Sequence, residues 1–286
     1  MILVAGGQLD PNIGALLKRV LLRKIPFRDL LVGPDSSPLI SIDLPEACLV
    51  LGGERVMPSA CFVRHDVFWS QKEGGHHANA ASLNWFYAIR GWALSWPDIK
   101  ILNRHSYLSE NNKIQNLLLA LNVGLNIPKT KITNLLNEMP CAEDYIQKPV
   151  AGGEYTTMLS DFLREKEDKE KFYPRFIQRR LNRPELRIFR IGPSLLAFSL
   201  LSNDVDYRVT QKVEIECAPV PGELAQPLVL LCDRLGLDFA AADFMLDDEA
   251  GWRFLEVNSQ PMFARFDQVC DGQLTGMLLD FLVGSL

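Results

Sequence analysis

Three oxygen-bearing side chains near the end of the chain have the types and spacing of a magnesium site. Asp243 lies within an apolar, strand-like run, and Glu256 and Asn258 lie two positions apart at the end of the next such run. Residues i and i+2 of a strand point to the same face, so these side chains are expected to converge across two adjacent strands. Carboxylate and amide oxygens suit Mg²⁺, which usually shares its shell with substrate phosphates. Acids within apolar strands are seldom buried without a partner, which favours a metal site over polar residues that merely end two strands.

A lysine followed by a glycine pair is a second candidate, for phosphate binding. Lys148 stands at the end of a predicted strand, and Gly152 and Gly153 follow it in a small-residue loop. Backbone N–H groups approach a phosphate closely where there is no Cβ, and the lysine adds a point charge. A glycine pair is more often only a turn, so this pattern alone leaves both interpretations open.

Arginines recur through the middle of the chain, at Arg175, Arg179, Arg180, Arg183, Arg187 and Arg190. In alternating strands they cannot all face one way, and most are expected to face solvent. Arg187 is the one expected to point inward, with Glu185 on the same face.

The four histidines give a weaker signal. His65 follows Arg64 in a strand-like run from Phe62 to Trp69 and is a candidate for the lining of a substrate cleft. The pair His76-His77 lies in a polar loop and is expected to face solvent rather than to act as a base or a metal ligand.

These residues require more than one kind of scaffold. The first hundred residues indicate a small α/β unit, because short apolar runs alternate with a helical pattern over residues 12–24. Runs that alternate as strands of an antiparallel sheet stand at 176–181, 186–191 and 195–201. The runs at 239–246 and 252–257 predict a hairpin that carries the candidate metal ligands. Further helices are predicted at 111–121, 221–235 and 271–282.

Composition excludes several classes of function. The 286 residues carry 30 Lys+Arg and 35 Asp+Glu, for a net charge of −5, so non-specific nucleic-acid binding is not expected. No apolar run approaches the roughly 18 residues that cross a bilayer. The short run Met1–Gly7 has no basic region before it and is expected to be a strand, not a signal peptide. The six cysteines show no CxxC spacing, which favours reduced thiols in a cytoplasmic protein over a zinc site.

The order of these residues resembles that of the ATP-grasp ligases, over roughly residues 100 to 286. The stretches FIQRRLNRPELRIFRIG and FLEVNSQPMF carry the resemblance, and Asp243 with Glu256 and Asn258 is its most specific part. The microviridin-type peptide ligases, also called graspetide synthetases, and the ribosomal-protein glutamate ligases are the most similar subgroups. The implied fold is an N-terminal α/β domain followed by an α+β ATP-grasp fold, in which two subdomains with antiparallel sheets grip ATP. The expected boundaries are 1–100, 101–180 and 181–286.

The resemblance also implies roles for individual residues. Asp243, Glu256 and Asn258 would hold Mg²⁺, and Arg187 and Arg208 would stabilise phosphate or acyl-phosphate charge. The residues expected to contact ATP are Lys113, Lys148, Gly152, Gly153, Gln178, Leu181 and Glu185. The strand at 176–181 would be the adenine hinge, and Glu185 would hold the ribose hydroxyls.

The implied reaction joins a carboxylate to an amine or hydroxyl through an acyl phosphate, on a peptide or protein that supplies an acidic side chain or a C-terminal carboxylate. No membrane partner is expected, and homo-oligomers are frequent in the family. Arg179 departs from the family pattern, which usually has an acid after the hinge glutamine. That departure and the short chain leave two alternatives open: a nucleotide- or peptide-binding module without ligase chemistry, and a small-molecule amino-acid ligase.

Overall fold

The computed structural model describes residues 1–69, 76–106, 112–136, 141–151, 155–165, 173–202, 212–247 and 251–284. The helices of these residues are α1 (Pro11–Leu22), α2 (His76–Leu94), α3 (Lys113–Asn122), α4 (Leu159–Glu165), α5 (Gly222–Arg234), α6 (Ala264–Val269) and α7 (Gln273–Val283), with a 3₁₀ turn at Ala142–Asp144. The strands are β1 (Ile2–Gly7), β2 (Phe27–Val32), β3 (Ile40–Asp43), β4 (Cys48–Leu51), β5 (Glu54–Val56), β6 (Ala60–Val63), β7 (Lys100–Ile101), β8 (Thr130–Thr133), β9 (Tyr145–Pro149), β10 (Thr157–Met158), β11 (Arg175–Arg179), β12 (Asn182–Ile191), β13 (Ser194–Leu201), β14 (Glu214–Ala218), β15 (Phe239–Asp247) and β16 (Gly251–Asn258).

The N-terminal unit is a parallel sheet in the order β2-β1-β6-β7. Parallel sheets are usually covered on both faces, and β1 is buried along its whole length. Alternate residues of β1 enter two different cores: Val4 packs with α1, and Leu3 packs with the α2 residues Ile89 and Trp92. A small antiparallel sheet, β3-β4-β5, lies beside this unit.

Two antiparallel sheets follow. The central sheet has the order β10-β9-β11-β8, and the C-terminal sheet has the order β14-β13-β12-β15-β16. The α/β unit and these two sheets confirm the predicted fold class.

Both faces of the C-terminal sheet carry buried apolar side chains, which pack against different partners. One face packs Ile188 and Phe244 against α5 and α3. The other packs Phe189 and Phe198 against α6, α7 and residues of β1 and α1. The N-terminal unit and the C-terminal sheet therefore share one hydrophobic core.

Two local predictions were wrong. The run predicted as one strand from Phe62 to Trp69 is a strand only as far as Val63, because the Asp66 side chain accepts the backbone N–H groups of Phe68 and Trp69 and so turns the chain beyond the sheet. The predicted polar loop at His76-His77 is helical, since α2 begins at His76; His77 is exposed, as expected. Among the described residues, none of the helices combines the length and apolarity that a membrane span requires.

Candidate functional site

Sheet register places three charged residues in one row across three strands. Arg187 of β12 is directly opposite Asp243 of β15, and Asp243 is directly opposite Glu256 of β16. Directly opposed residues of an antiparallel pair share a face, and Asn258 shares it because it lies two positions after Glu256. We call Arg187, Asp243, Glu256 and Asn258 the polar row. The convergence predicted for its three oxygen donors is thus present in the backbone.

A β-bulge lies directly beside the polar row. The register of β15 and β16 shifts after the pair Asp243–Glu256, so that Phe244 is opposite Phe254 and Leu255 has no direct partner. Such bulges bend a strand and re-aim the neighbouring side chains. Phe244 and Phe254 are fully buried on the other face, and this anchors both strands beneath the row.

Asp243 and Arg187 form a two-pronged ion pair. Arg187 Nε donates to Asp243 Oδ1 at 2.6 Å, and Nη2 donates to Oδ2 at 2.8 Å. The Asp243 side chain is 5 % exposed and the Arg187 side chain is 11 % exposed, and the Arg187 guanidinium also lies over the Phe266 ring. The sequence assigned Asp243 to a metal and Arg187 to phosphate charge, and it did not anticipate that the two would pair with each other.

Glu256 is held as an anion by several cations. Lys113 Nζ lies 3.4 Å from Glu256 Oε2, and Asn258 Nδ2 lies 3.4 Å from Oε1. Burial alone would raise the pKa of the Glu256 carboxyl, but the attraction of Lys113 and then of Lys148, the Asn258 hydrogen bond and Arg187 hold that pKa below its ordinary value. The Lys113 and Glu256 side chains remain more than a quarter exposed, so solvent reaches this end of the row.

Local structure explains why Lys113 lies beside Glu256. The Asn112 side chain accepts hydrogen bonds from the backbone N–H groups of Ile114 and Gln115, which makes it the N-cap of α3 and places Lys113 in the first helical position. Phe254 N donates to Asn126 O, which ties β16 to the segment after that helix. A helix N-terminus favours anions, so the helix and its lysine act in the same direction on Glu256.

The central sheet presents a second set of side chains. Lys148 of β9 is opposite Phe176 of β11, with Nζ 5.6 Å from the ring centroid, and its charge acts on Glu256. Gln178 is 1 % exposed, and its Nε2 donates to Thr130 Oγ1 at 2.9 Å. Within the described part of the chain, Gln178 Oε1 is buried and has no hydrogen-bond partner. An amide oxygen in this position can accept from a ligand N–H, such as an exocyclic amino group.

Comparison with solved structures identifies the arrangement of these sheets. The chain is similar to the ATP-grasp ligase PsnB complexed with a minimal precursor, at 21 % identity and a TM-score of 0.77 over 99 % of this chain and 98 % of that one. It is similar to a Chryseobacterium gregarium RiPP-associated ATP-grasp ligase in complex with ADP and a leader and core peptide, at 18 % identity and a TM-score of 0.79 over 100 % and 97 %. The chain has the ATP-grasp fold.

A third similar structure is the macrocyclase MdnC from Microcystis aeruginosa MRC, bound with the precursor peptide MdnA, at 16 % identity and a TM-score of 0.75 over 100 % of both chains. No protein-family model matches the chain, and no curated protein matches it. The motifs that carry the sequence resemblance lie between about residues 100 and 286, whereas the structural similarity also includes the N-terminal unit.

Of the other predicted site residues, the structure describes two and leaves three outside the described residues. Glu185 is 8 % exposed and lies two positions before Arg187 on β12. Leu181 is half-buried and lies beyond the observed strand, because β11 ends at Arg179 rather than at residue 181 as predicted. Gly152, Gly153 and Arg208 fall outside the described residues.

The donor set of the polar row fits a divalent cation in this ATP-grasp fold. Among the described residues, no group of three or more histidine, cysteine, aspartate or glutamate side chains is arranged to hold a metal ion, and the row offers two carboxylates with an amide instead. Two carboxylates and one amide oxygen on one face suit an ion such as Mg²⁺, which keeps waters and takes further ligands from phosphates. The surrounding lysines and Arg187 provide the positive charge that a polyphosphate requires.

Sequence reasoning missed the polar side chains that support the site. Thr130 holds the Gln178 amide, and Asn103 bonds the backbone at both Phe239 and Ser259. Nothing in the local sequence of Thr130 or Asn103 indicates these contacts, because their partners are 48 to 156 positions away.

Proposed function

We propose that this chain is an ATP-dependent carboxylate–amine or carboxylate–hydroxyl ligase that forms an amide or ester on a peptide or protein through an acyl-phosphate intermediate. The observation that carries the proposal is the polar row with Lys113 and Lys148 around Glu256, inside an ATP-grasp fold. A carboxylate is a poor electrophile, and its activation by phosphoryl transfer depends on positioning and charge neutralisation. The row and the lysines supply both.

The proposed roles follow the two sheets. Gln178, Lys148, Lys113 and Glu185 bind the nucleotide, with Gly152 and Gly153 over the phosphates and Leu181 at the hinge. Glu256 and Asn258, with Asp243, hold Mg²⁺, which neutralises phosphate charge when bound. Arg187 and Arg208 stabilise the charge of the phosphorylated substrate. Arg187 also orients Asp243, because it donates two hydrogen bonds to that carboxylate.

Arg179 does not oppose this assignment. It is exposed, whereas its neighbour Gln178 is buried, and adjacent strand residues point to opposite faces. The arginine charge is therefore directed away from the side chain proposed to contact adenine, which weakens the motive for a binding module without chemistry.

The substrate proposal draws on the similar structures. PsnB, MdnC and the Chryseobacterium ligase are each complexed with a precursor or core peptide. We propose a peptide with acidic side chains and an amine or hydroxyl acceptor.

All six cysteines are unpaired, which fits a reducing compartment such as the cytoplasm.

The test is ADP release by the purified protein with Mg²⁺, ATP and a panel of peptides containing Glu or Asp together with Lys, Ser or Thr. We expect peptide-dependent ADP and phosphate formation, with loss of one water from the peptide by mass spectrometry. Glu256→Gln is expected to abolish it, while Glu223→Gln, on the exposed start of α5, keeps wild-type turnover. Turnover by Glu256→Gln equal to wild type would refute the proposal.

A further inference from the structure

The segment that follows Asn258 is held by side chains from the first part of the chain. Asn103 Nδ2 donates to the carbonyl of Ser259 at 2.8 Å. The next residue, Gln260, accepts the His65 backbone N–H on its side-chain oxygen at 3.0 Å. We call residues 259–264 the post-row segment, since it begins directly after the last member of the polar row.

A buried ion pair also contacts the post-row segment. Arg64 and Asp10 are 4 % and 0 % exposed, and Arg64 Nε donates to Asp10 Oδ2 at 2.6 Å. The same guanidinium donates through Nη1 to the carbonyl of Pro261 at 3.0 Å and contacts Met262 Sδ through Nη2. Arg64 thus joins the end of β6 to the middle of the post-row segment.

Asp10 also orients a second contact. Its Oδ1 accepts from both the backbone N–H and the side-chain amide of Asn12, at 2.8 and 2.6 Å. Asn12 Oδ1 then accepts from the backbone N–H groups of Phe263 and Ala264, at 2.6 and 2.8 Å. These are among the first N–H groups of α6, which otherwise lack acceptors at a helix start.

We propose that Asp10, Arg64 and Asn12 are positioning residues for the polar row, and that they set the place of Asn258 and through it the affinity for the divalent cation. The inference rests on the proposed function. β16 ends at Asn258, so the course of the chain beyond it decides where that amide points. A buried ion pair is a weak source of stability compared with an apolar replacement, which makes a role in specifying geometry the better account of this pair.

Outer residues that orient ligands typically change metal affinity by about ten- to a hundredfold when they are removed. The test uses three variants of the full chain: Arg64→Lys, Asn12→Ala, and Asp10→Asn combined with Arg64→Met. The double change removes both charges, which keeps the fold where a single Arg64→Met would leave a buried carboxylate unpaired. Arg23→Met is the control, because Arg23, directly after α1, forms a partly exposed ion pair with Asp280 of α7 that involves no residue of the post-row segment.

Two quantities are measured on each variant. Hydrogen exchange of the Phe263 and Ala264 amides, in the protein alone, reports whether the post-row segment is held. Calorimetric binding of ATP at increasing Mg²⁺ reports the midpoint for the cation. We expect faster exchange and a midpoint at least about tenfold higher for the double variant and Asn12→Ala, a smaller shift for Arg64→Lys, and no shift for Arg23→Met.

An unchanged Mg²⁺ midpoint in folded variants whose amides exchange faster would overturn the inference, because the contacts would then be purely structural. Equal loss of ATP affinity with and without Mg²⁺ would overturn it as well. Failure of the proposed function itself is distinct: the wild-type chain would then bind no ATP under any condition, while the exchange rates would still differ between variants.

Discussion

Of the arginine–aspartate pairs in the described part of the chain, Arg64–Asp10 and Arg187–Asp243 have the same 2.6 Å contact but different surroundings. Arg64–Asp10 is almost completely buried; Arg64 also donates to the Pro261 carbonyl, and Asp10 also accepts from Asn12. Arg187–Asp243 lies beside Glu256, whose carboxylate is partly exposed and faces Lys113. The first pair holds backbone in place, and the second is part of a charged row open to solvent at one end. The residues around an ion pair, rather than its N···O distance, therefore indicate its role in the structure.

The difference predicts unequal costs of removing the arginine. Arg64→Met leaves the fully buried Asp10 carboxylate without its cation, and we expect a loss of about 3–5 kcal/mol in the free energy of unfolding. Arg187→Met leaves a carboxylate next to a solvated row, and we expect about 1–3 kcal/mol. Urea unfolding of both variants at neutral pH measures this. Equal losses would show that the two environments do not differ in the way proposed.

The pH dependence of stability tests the charge environment of Glu256, which belongs to the polar row and not to the buried pair. Its pKa is lowered in the folded protein, so it contributes stability that is present above the ordinary value of 4.5 and is lost as pH falls below 4.5 through the folded value. Glu256→Gln is expected to flatten the pH dependence of stability in that window, and Glu223→Gln to leave it unchanged. Thermal unfolding between neutral pH and the acid limit checks this. A profile of Glu256→Gln that matches wild type would contradict the assigned charge environment.

The smallest effect on stability is expected at the central sheet. Gln178→Met removes one hydrogen bond to Thr130 and one buried oxygen that has no partner among the described residues, so stability should change by no more than about 1 kcal/mol. ATP affinity should fall about tenfold, since the oxygen is proposed to accept from the base. Arg179→Ala, at the exposed neighbouring position, is the control and should change neither quantity. Calorimetry measures the ATP affinity of each variant. Unchanged ATP affinity in Gln178→Met would show that Gln178 does not contact the nucleotide.

Local sequence patterns predicted the elements that carry the site. The two-residue spacing of Glu256 and Asn258 and the apolar run around Asp243 predicted the hairpin and its shared face, which β15 and β16 confirm. The pattern over residues 111–121 predicted a helix, and α3 begins at Lys113, directly after its Asn112 cap. The roles assigned to individual residues stay predictions.

Contacts between distant parts of the chain were beyond these patterns. Arg187 pairs with a residue 56 positions away, and its partner follows from strand order and register, which no local spacing encodes. The hydrogen bond that Ala264 N–H donates to Asn12 Oδ1 joins residues that are 252 positions apart. His76 and His77 were placed in a loop because their neighbours are glycine and asparagine, yet α2, which ends at Leu94, begins at His76.

The most direct test of the account is calorimetric binding of ATP and a non-hydrolysable analogue, with and without Mg²⁺, to the wild-type chain, Glu256→Ala and the control Glu223→Ala. The account predicts binding to wild type and to the control that weakens when Mg²⁺ is withdrawn, and weaker binding to Glu256→Ala that no longer responds to Mg²⁺. Mg²⁺-dependent binding to Glu256→Ala as tight as to wild type would contradict the claim that the polar row is the nucleotide–metal site.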